Sequence, residues 1–249
     1  MDVPALYHDP TSEPSRAVHW FTLEAGVEVT ISSVWLTRGE HRAPAFQSIN
    51  PAHQVPALEH AGFCLSEASA IMLYLAEIAG VRDLWVGASA GGRAQTQRFL
   101  SWHHTNTRLK VTLDYFLPVL LKPAYTGASP PSDERVRQLR ERGREPLTLL
   151  EGFLVGRGSF LGGRTPSVAD LFIASDLYAL DADPMKGSWF YGLPRVSGWL
   201  DRLRDRNGYR ISHAAWNAIV PRIQQLVSLE ARGSRNPRWV ADACGPYLP

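Results

Sequence analysis

Two short stretches of the sequence contain residues suited to binding a peptide-like ligand. In Gln54-Val55-Pro56-Ala57 the proline stands at the mouth of a predicted strand, where a cis peptide bond would fix the turn. The Val55 N–H and C=O would then be free to pair with an extended peptide, as an added strand does. Glu67 begins a predicted helix, whose free N–H groups suit a carboxylate while Glu67 suits an ammonium group. Together they predict a site for the α-amino acid end of a peptide, and a γ-glutamyl peptide fits that description.

The elements that must position these residues alternate between strands and helices. Short strands are predicted over residues 5–8, 27–35, 55–59 and 62–65, the last two as a hairpin. A helix between the first two strands has Ser12 as its N-cap, Pro14 in its first turn and Gly26 just past its end. The predicted order is β-α-β-α-β-β-α.

Periodicity assigns faces to two of these elements. The strand over 27–35 alternates apolar and polar residues, which predicts a half-buried strand with the inward side chains Val27, Val29, Ile31 and Trp35. The helix after the hairpin is predicted to be capped by Ser66 and to have an apolar face of Ile71, Leu75 and Ile78.

Beyond residue 81 the pattern indicates helices only. Glycines and small residues over 82–92 predict a linker. Helices are predicted over 95–121, 133–154, 167–180, 194–206 and 209–229, and Ser167-Val168-Ala169-Asp170 is a capping-box-like signal. The chain is therefore divided into an α/β domain over 1–81, the linker, an all-helical domain over 93–232 and a tail over 233–249.

The composition excludes several classes of protein. The 249 residues include 26 Lys and Arg against 24 Asp and Glu, so the net charge of +2 gives no strong field to attract nucleic acid or a membrane. Cys64 and Cys244 form no Cys-x-x-Cys pair, which argues against a disulfide scaffold or a cysteine redox motif. No metal-ligand motif is recognised among the eight histidines. No secretory signal is visible, so the cytoplasm is the expected compartment.

Several stretches, in order along the chain, resemble the glutathione S-transferase family and most of all its theta class. They comprise residues 6–18, 37–41, 50–51, 54–58, 66–75 and 102–108, and the capping stretch over 165–171. The resemblance implies a thioredoxin-like N-terminal domain, an all-α C-terminal domain and a homodimer. It also implies glutathione as a cosubstrate.

The same resemblance assigns the sulfur-activating role to Ser12. In theta-like enzymes a serine near the start of the first helix lies beside the glutathione sulfur, and Ser12 matches that position. A free thiol titrates near 8.5, so a hydroxyl donor and a helix N-terminus that stabilise the thiolate would activate it at neutral pH. Ser15 is the alternative residue, and a plain helix N-cap is the alternative role for Ser12.

Five further residues match the family's glutathione-binding positions. His41 matches a position that contacts the glycyl carboxylate, and Gln54 stands where theta enzymes often carry lysine. Val55 supplies the strand edge, and Glu67 matches the family's acidic residue. Ala68 stands where the family usually has serine, so it keeps the N–H for the γ-glutamyl carboxylate but lacks the hydroxyl.

Three residues are expected at the pocket for the second substrate. Arg108 matches a theta residue that faces this pocket, and Phe116 is expected on roughly the same face of the long helix. For Phe116 a place in the helix core is the alternative. Trp239 resembles an aromatic residue of the tail that closes the pocket over the active site, and its alternative is surface packing.

These residues support two hypotheses of different classes. The first is a theta-like glutathione transferase acting on small electrophiles, a class in which dehalogenation and peroxide reduction also occur. The second is a non-catalytic relative that serves as a binding or assembly module. Ser12, Glu67 and Arg108 favour the enzyme, whereas Gln54 and Ala68 favour the module because both lack a group that the family uses on glutathione.

Overall fold

A four-stranded mixed sheet organises the N-terminal domain in the computed structural model, which describes residues 2–156 and 158–230. The strands are β1 (Ala5–His8), β2 (Thr30–Ser33), β3 (Ala57–His60) and β4 (Phe63–Ser66). They are arranged β2-β1-β3-β4, with β1 parallel to β2 and antiparallel to β3, and β3 antiparallel to β4. The helices are α1 (Glu13–Ala25), α2 (Pro44–Gln47) and α3 (Ala68–Ile78). The predicted βαβαββα order is confirmed.

The second strand is shorter than its alternating pattern predicts. Only Thr30–Ser33 pairs with β1, because the register begins at Ala5 opposite Thr30 and β1 has four residues. β2 is also an edge strand with a single neighbour, and Ile31, expected to point inward, is 38% exposed. The length of this strand is thus set by its partner and not by its own alternation.

The predicted signals at the ends of α1 are present in the structure. Ser12 has the extended backbone of an N-cap, Pro14 lies in the first turn, and Gly26 ends the helix at φ 66°. Glycine adopts that left-handed conformation without a Cβ clash. The apolar side of α1 packs with Leu6 of β1 and Leu58 of β3 in a core that continues into the helical domain.

Helix α3 differs from its predicted start and face. Its N-cap residue is Glu67 rather than Ser66, which still belongs to β4. Ile71 and Leu75 are fully buried, but Ile78 is 41% exposed because it lies at the end of the helix, beyond the core. The strand therefore extends one residue further than the capping signal indicated.

The segment predicted as a linker is largely helical. A turn over Asp83–Gly87 is followed by α4 (Ala90–His103), whose N-cap Ser89 accepts a hydrogen bond from the Gly92 N–H at 3.0 Å. The helix continues over His104–Leu121 with the wider, π-type turn, and these two parts together are called the long helix. Gly91 and Gly92 thus lie in the first turn of α4, whereas Gly87 ends the preceding turn at φ 130°.

The helical domain surrounds one fully buried helix. Its further helices are α5 (Lys122–Thr126), α6 (Asp133–Phe153), α7 (Val168–Leu177), α8 (Lys186–Phe190), α9 (Pro194–Arg204), α10 (Asn207–Ser212) and α11 (Ala214–Glu230). All ten residues of α7 are buried, and the predicted capping box between Ser167 and Asp170 is present at its start. The predicted tail, with Trp239, lies outside the described residues. Over 2–156 and 158–230 we find no helix with the length and apolar character needed to span a bilayer.

Candidate active site

A cavity of about 500 Å³ opens between the sheet domain and the long helix. Of the residues singled out in the sequence, Ser12, His41, Gln54, Val55, Glu67, Ala68 and Arg108 all line it. Residues from four separate segments of the N-terminal domain therefore meet one face of the helical domain.

The loop that carries Ser12 is fixed by two buried charged residues. The Asp9 carboxylate accepts hydrogen bonds from the Thr11 N–H at 2.7 Å, the Thr11 hydroxyl at 2.6 Å and the Leu36 N–H at 2.8 Å. Arg16 donates from Nη1 to the Thr11 carbonyl at 2.6 Å. Within the described residues the Ser12 side chain makes no capping hydrogen bond, so its hydroxyl is free to meet a ligand in the cavity.

Arg16 is a residue whose importance the sequence did not signal. Its side chain is fully buried, and its guanidinium lies 4.7 Å from the ring centroid of Trp216. Burial lowers the pKa of Arg16 from its usual value, while the carboxylates of Glu13 and Asp176 act in the opposite direction. Arginine side chains are ordinarily exposed. The burial of Arg16 therefore becomes visible only in the packing of the two domains.

Ser15, the alternative to Ser12, has a different environment. It is fully buried, and its Oγ accepts a hydrogen bond from the Asp9 N–H at 3.4 Å. It does not appear on the cavity wall, which Ser12 does line. The two serines therefore differ in their access to a ligand, because Ser12 is at the N-terminus of α1 on the cavity wall and Ser15 is buried inside the domain.

The strand edge at Val55 is supported by a neighbouring asparagine. The Val55–Pro56 peptide bond is cis, as the sequence suggested. Asn50 donates from Nδ2 to the Gln54 carbonyl at 2.7 Å and accepts from the Ala52 N–H at 3.1 Å. This buried side chain holds the chain immediately before the strand, and it was not among the predicted site residues.

His41 lines the same side of the cavity. Its carbonyl oxygen lies 3.0 Å from Nδ1 of His53, which ties the two loop segments together. The Nδ1 atom of His41 has no hydrogen-bond partner among the described residues. Partial burial, followed by the charges of Arg42 and His53, lowers the pKa of His41. A neutral His41 ring can offer either a donor or an acceptor to a ligand.

Glu67 and Ala68 form the end of the cavity at the start of α3. Glu67 has φ 69°, a left-handed conformation that non-glycine residues seldom adopt and that costs about 1–3 kcal/mol. Ala68 is the first residue of α3 and is 3% exposed. The first N–H groups of an α-helix have no intrahelical acceptor, so this end of the cavity attracts a carboxylate.

Arg108 lies on the opposite wall between two carboxylates. Its Nη1 is 3.3 Å from Glu13 Oε2 and 2.8 Å from Asp176 Oδ1. Burial disfavours the charged guanidinium, but Asp176 and Glu13 outweigh this effect and raise the pKa of Arg108. Asp176 is fully buried, and its other oxygen lies 3.2 Å from Nε2 of His103. Arg108 is therefore a fixed cation with two carboxylate neighbours.

Phe116 does not line the cavity, so its expected place at the second-substrate pocket is wrong and its alternative place in the helix core is the one observed. It is fully buried and packs edge-on against Trp216 at 5.7 Å between ring centroids. Arg108 and Phe116 lie in the part of the helix with the wider, π-type turn, so the eight-residue spacing expected for an α-helix does not bring Phe116 to the face of Arg108. The long helix instead presents to the cavity the side chains His104, Arg108, Leu113, Leu117 and Leu121, a spacing of four or five that suits its wider turn.

Comparison with known proteins agrees with this architecture. The family model for the glutathione S-transferase N-terminal domain matches residues 3–77, and the model for the C-terminal domain matches residues 133–202. Mouse glutathione S-transferase theta-1 is 31% identical over 217 residues, which cover 86% of this chain and 88% of the relative. Rat glutathione S-transferase theta-2 is 30% identical and covers 86% of each chain.

Solved structures agree as well. Human glutathione S-transferase T1-1 in its apo form has a TM-score of 0.78 and 26% identity, covering 98% of this chain and 97% of that one. Human glutathione transferase theta-2 in complex with glutathione has a TM-score of 0.76 and 25% identity, covering 94% and 93%. The chain belongs to the glutathione S-transferase family, and the relatives that it resembles over most of its length are of the theta class.

Proposed function

We propose that this protein is a theta-like glutathione transferase that conjugates glutathione to small electrophiles, with Ser12 stabilising the reactive thiolate. The observation that carries the proposal is the Ser12 hydroxyl, which lines the cavity and makes no capping hydrogen bond within the described part of the chain. A serine that only capped α1 would use its oxygen to accept from an N–H of the first turn. The Ser12 oxygen is instead available to a ligand.

The cavity offers a complementary group to each part of glutathione. Glu67 suits the γ-glutamyl ammonium group, and the N–H of Ala68 suits the adjacent carboxylate. The backbone of Val55 can pair with the cysteinyl peptide unit, as an added strand would. His41 and Gln54 then remain for the glycyl carboxylate, and this order leaves the sulfur near Ser12.

The reaction follows from the stabilisation of one charge. A thiol with a pKa near 8.5 is mostly protonated at pH 7, and each lowering by one unit corresponds to about 1.4 kcal/mol in favour of the thiolate. The Ser12 O–H donates to the sulfur, and the N-terminus of α1 adds a favourable dipole. The thiol proton passes to solvent, the sulfur forms a bond to the electrophilic carbon, and the leaving group departs with its electron pair.

The test compares two serine variants on the same helix. A hydrogen bond to a charged acceptor contributes about 1.5–3 kcal/mol, so Ser12→Ala is expected to lower kcat/KM about 10–100-fold. The same variant is expected to raise the pKa of the bound thiol, measured from the pH dependence of kcat/KM. Ser15→Ala tests the alternative residue, and it is expected to keep most of the activity because the Ser15 hydroxyl does not line the cavity. Near-full activity of Ser12→Ala would show that the assignment is wrong.

Ala68 and Gln54 favour a second candidate function, a non-catalytic binding or assembly module with weak or no affinity for glutathione. Calorimetry with glutathione, followed by assays on halides, epoxides and peroxides, separates the candidates. No binding at millimolar glutathione contradicts the transferase and agrees with the module, and binding without turnover on any of these substrates leaves a binding module. The same panel distinguishes conjugation from dehalogenation and peroxide reduction. The resemblance further implies a cytoplasmic homodimer that acts in detoxification, and a monomeric mass by light scattering would contradict the dimer.

A further inference from the structure

Four charged side chains meet beside Ser12 where the two domains join. Glu13 follows Ser12 on α1, and its carboxylate contacts Arg108 of the long helix at 3.3 Å. The same Arg108 nitrogen contacts Asp176 of α7 at 2.8 Å. Arg16 is fully buried, and its charge interacts with both carboxylates. The cluster therefore contains two cations and two anions.

Only one ion pair of this cluster reaches the cavity. Glu13 and Arg108 line it, whereas Arg16 and Asp176 are fully buried. Because Arg108 Nη1 already has two carboxylate neighbours, its charge is compensated before any substrate arrives. A bound anion would have to displace Glu13 or lie next to it, and an uncompensated charge in a partly buried site is strongly disfavoured.

Apart from His104, the remainder of this wall is apolar. Leu113, Leu117 and Leu121 lie along the long helix, and Phe172 of α7 lies beside them with its ring edge-on to His104. Among the described residues, Glu13, Arg108 and His104 are the ionisable groups that the helical side and the start of α1 contribute to this part of the cavity. The surface suits the apolar body of an uncharged molecule.

We infer that Glu13 is a specificity-determining residue, which neutralises Arg108 and so restricts the enzyme to uncharged electrophiles. This inference rests on the proposed conjugation reaction. It also predicts that removing the Glu13 charge leaves the cluster with two cations against the single anion Asp176, so that an anionic substrate beside Arg108 can balance the excess positive charge.

The test uses two substrates with the same reacting carbon, benzyl chloride and 4-(chloromethyl)benzoate. In both, the sulfur–carbon bond forms as the carbon–chlorine bond breaks, chloride leaves with the electron pair, and the thiol proton passes to solvent. Each kcat/KM is divided by the uncatalysed rate constant with glutathione, which removes the intrinsic difference in reactivity. The unmodified protein is expected to prefer benzyl chloride at least tenfold.

Three variants distinguish the effect of the Glu13 charge on substrate preference from the effect of removing any carboxylate. Glu13→Gln is expected to reduce the preference about tenfold, through a higher kcat/KM for the benzoate. Glu13→Asp keeps the charge and is expected to keep the preference. Glu145→Gln removes an exposed carboxylate that pairs with Lys110 outside the cavity, and it is expected to change nothing.

The possible outcomes distinguish this inference from the proposed function. Equal normalised rates on both substrates in the unmodified protein would overturn the inference, and that measurement needs no variant to fold. An effect of Glu13→Gln no larger than that of Glu145→Gln would overturn it as well. No conjugation of benzyl chloride at saturating glutathione would instead contradict the proposed function.

Discussion

At the scale of single residues, Ala68 is a position of the proposed glutathione site that lacks a side-chain hydrogen-bond donor. It stands at the start of α3, on the cavity wall, with 3% of its surface exposed. Its methyl group can neither donate nor accept a hydrogen bond. The serine that the family usually has there would add one donor to a γ-glutamyl carboxylate. The affinity for glutathione should therefore be limited at this residue.

Ala68→Ser is expected to tighten glutathione binding. One added hydrogen bond to a charged group corresponds to about 1.5–3 kcal/mol, or about one to two decades in Kd, measured by titration calorimetry. Ala70→Ser adds the same hydroxyl to the same helix away from the cavity wall, and it is expected to leave Kd unchanged. Equal affinities for the unmodified protein and Ala68→Ser would contradict this account of the site.

At the scale of elements, α6 and α8 pack through a glycine. Gly143 lies in the middle of α6, and a Cβ built there would be 2.7 Å from Cζ3 of Trp189. Trp189 is fully buried and donates from Nε1 to Asp183 at 2.8 Å. Asp183 also accepts from the Tyr115 hydroxyl of the long helix at 2.6 Å. The indole therefore cannot move aside without breaking a buried hydrogen bond.

Gly143→Ala is expected to destabilise the protein although alanine favours helices. Overpacking of this kind costs about 1–3 kcal/mol, which exceeds the gain of about 1 kcal/mol in helix propensity. Gly152→Ala, in the same helix with open space around its Cβ, is expected to be neutral or stabilising. Urea unfolding followed by tryptophan fluorescence measures both. If both variants changed the free energy of unfolding in the same direction, Trp189 would be able to move and make room for the Cβ.

At the scale of the whole molecule, polar contacts connect helix α1 to the helical domain. Glu24 accepts from the Gly208 N–H at 2.9 Å and from Arg206 Nε at 2.8 Å. His213 of the helical domain packs edge-on against Trp20 of α1, at 5.3 Å between ring centroids. These contacts join the C-terminal half of α1 to the helical domain.

Buried histidines make the fold sensitive to acid. Burial, followed by the charge of His19, lowers the pKa of His8 to about 4, and burial lowers that of His213 well below its usual value. The unfolded chain takes up these protons near pH 6.5, whereas the folded protein does not. Below pH 6.5 the unfolded state therefore binds more protons, and the free energy of unfolding falls as the pH decreases toward 4.

The contribution of His8 can be measured by itself. Between pH 7.5 and pH 5 it is expected to lower the free energy of unfolding by about 2 kcal/mol. In His8→Leu, an apolar residue of similar size, the loss over this interval should be smaller by that amount in urea unfolding. An identical pH dependence in the variant and the unmodified protein would exclude this role of His8.

The sequence by itself determined the order of the elements and the loops that carry most of the site. Ser12 at the start of α1, the cis proline after Val55 and the capping box at Ser167 were all predictable. Each depends on interactions between residues a few positions apart, such as a fixed φ or a side chain bonding a nearby N–H. Such signals are read from the chain without knowledge of the fold.

Only the tertiary structure decided which side chains meet across the cavity. Glu13 and Arg108 are 95 positions apart, and the burial of Arg16 depends on Trp216 from the last described helix. The wider turn of the long helix brings Leu113 rather than Phe116 to the cavity wall. A prediction that assumes about 3.6 residues per turn does not find Leu113. These outcomes depend on the packing of distant elements, whose contact energies no local pattern contains.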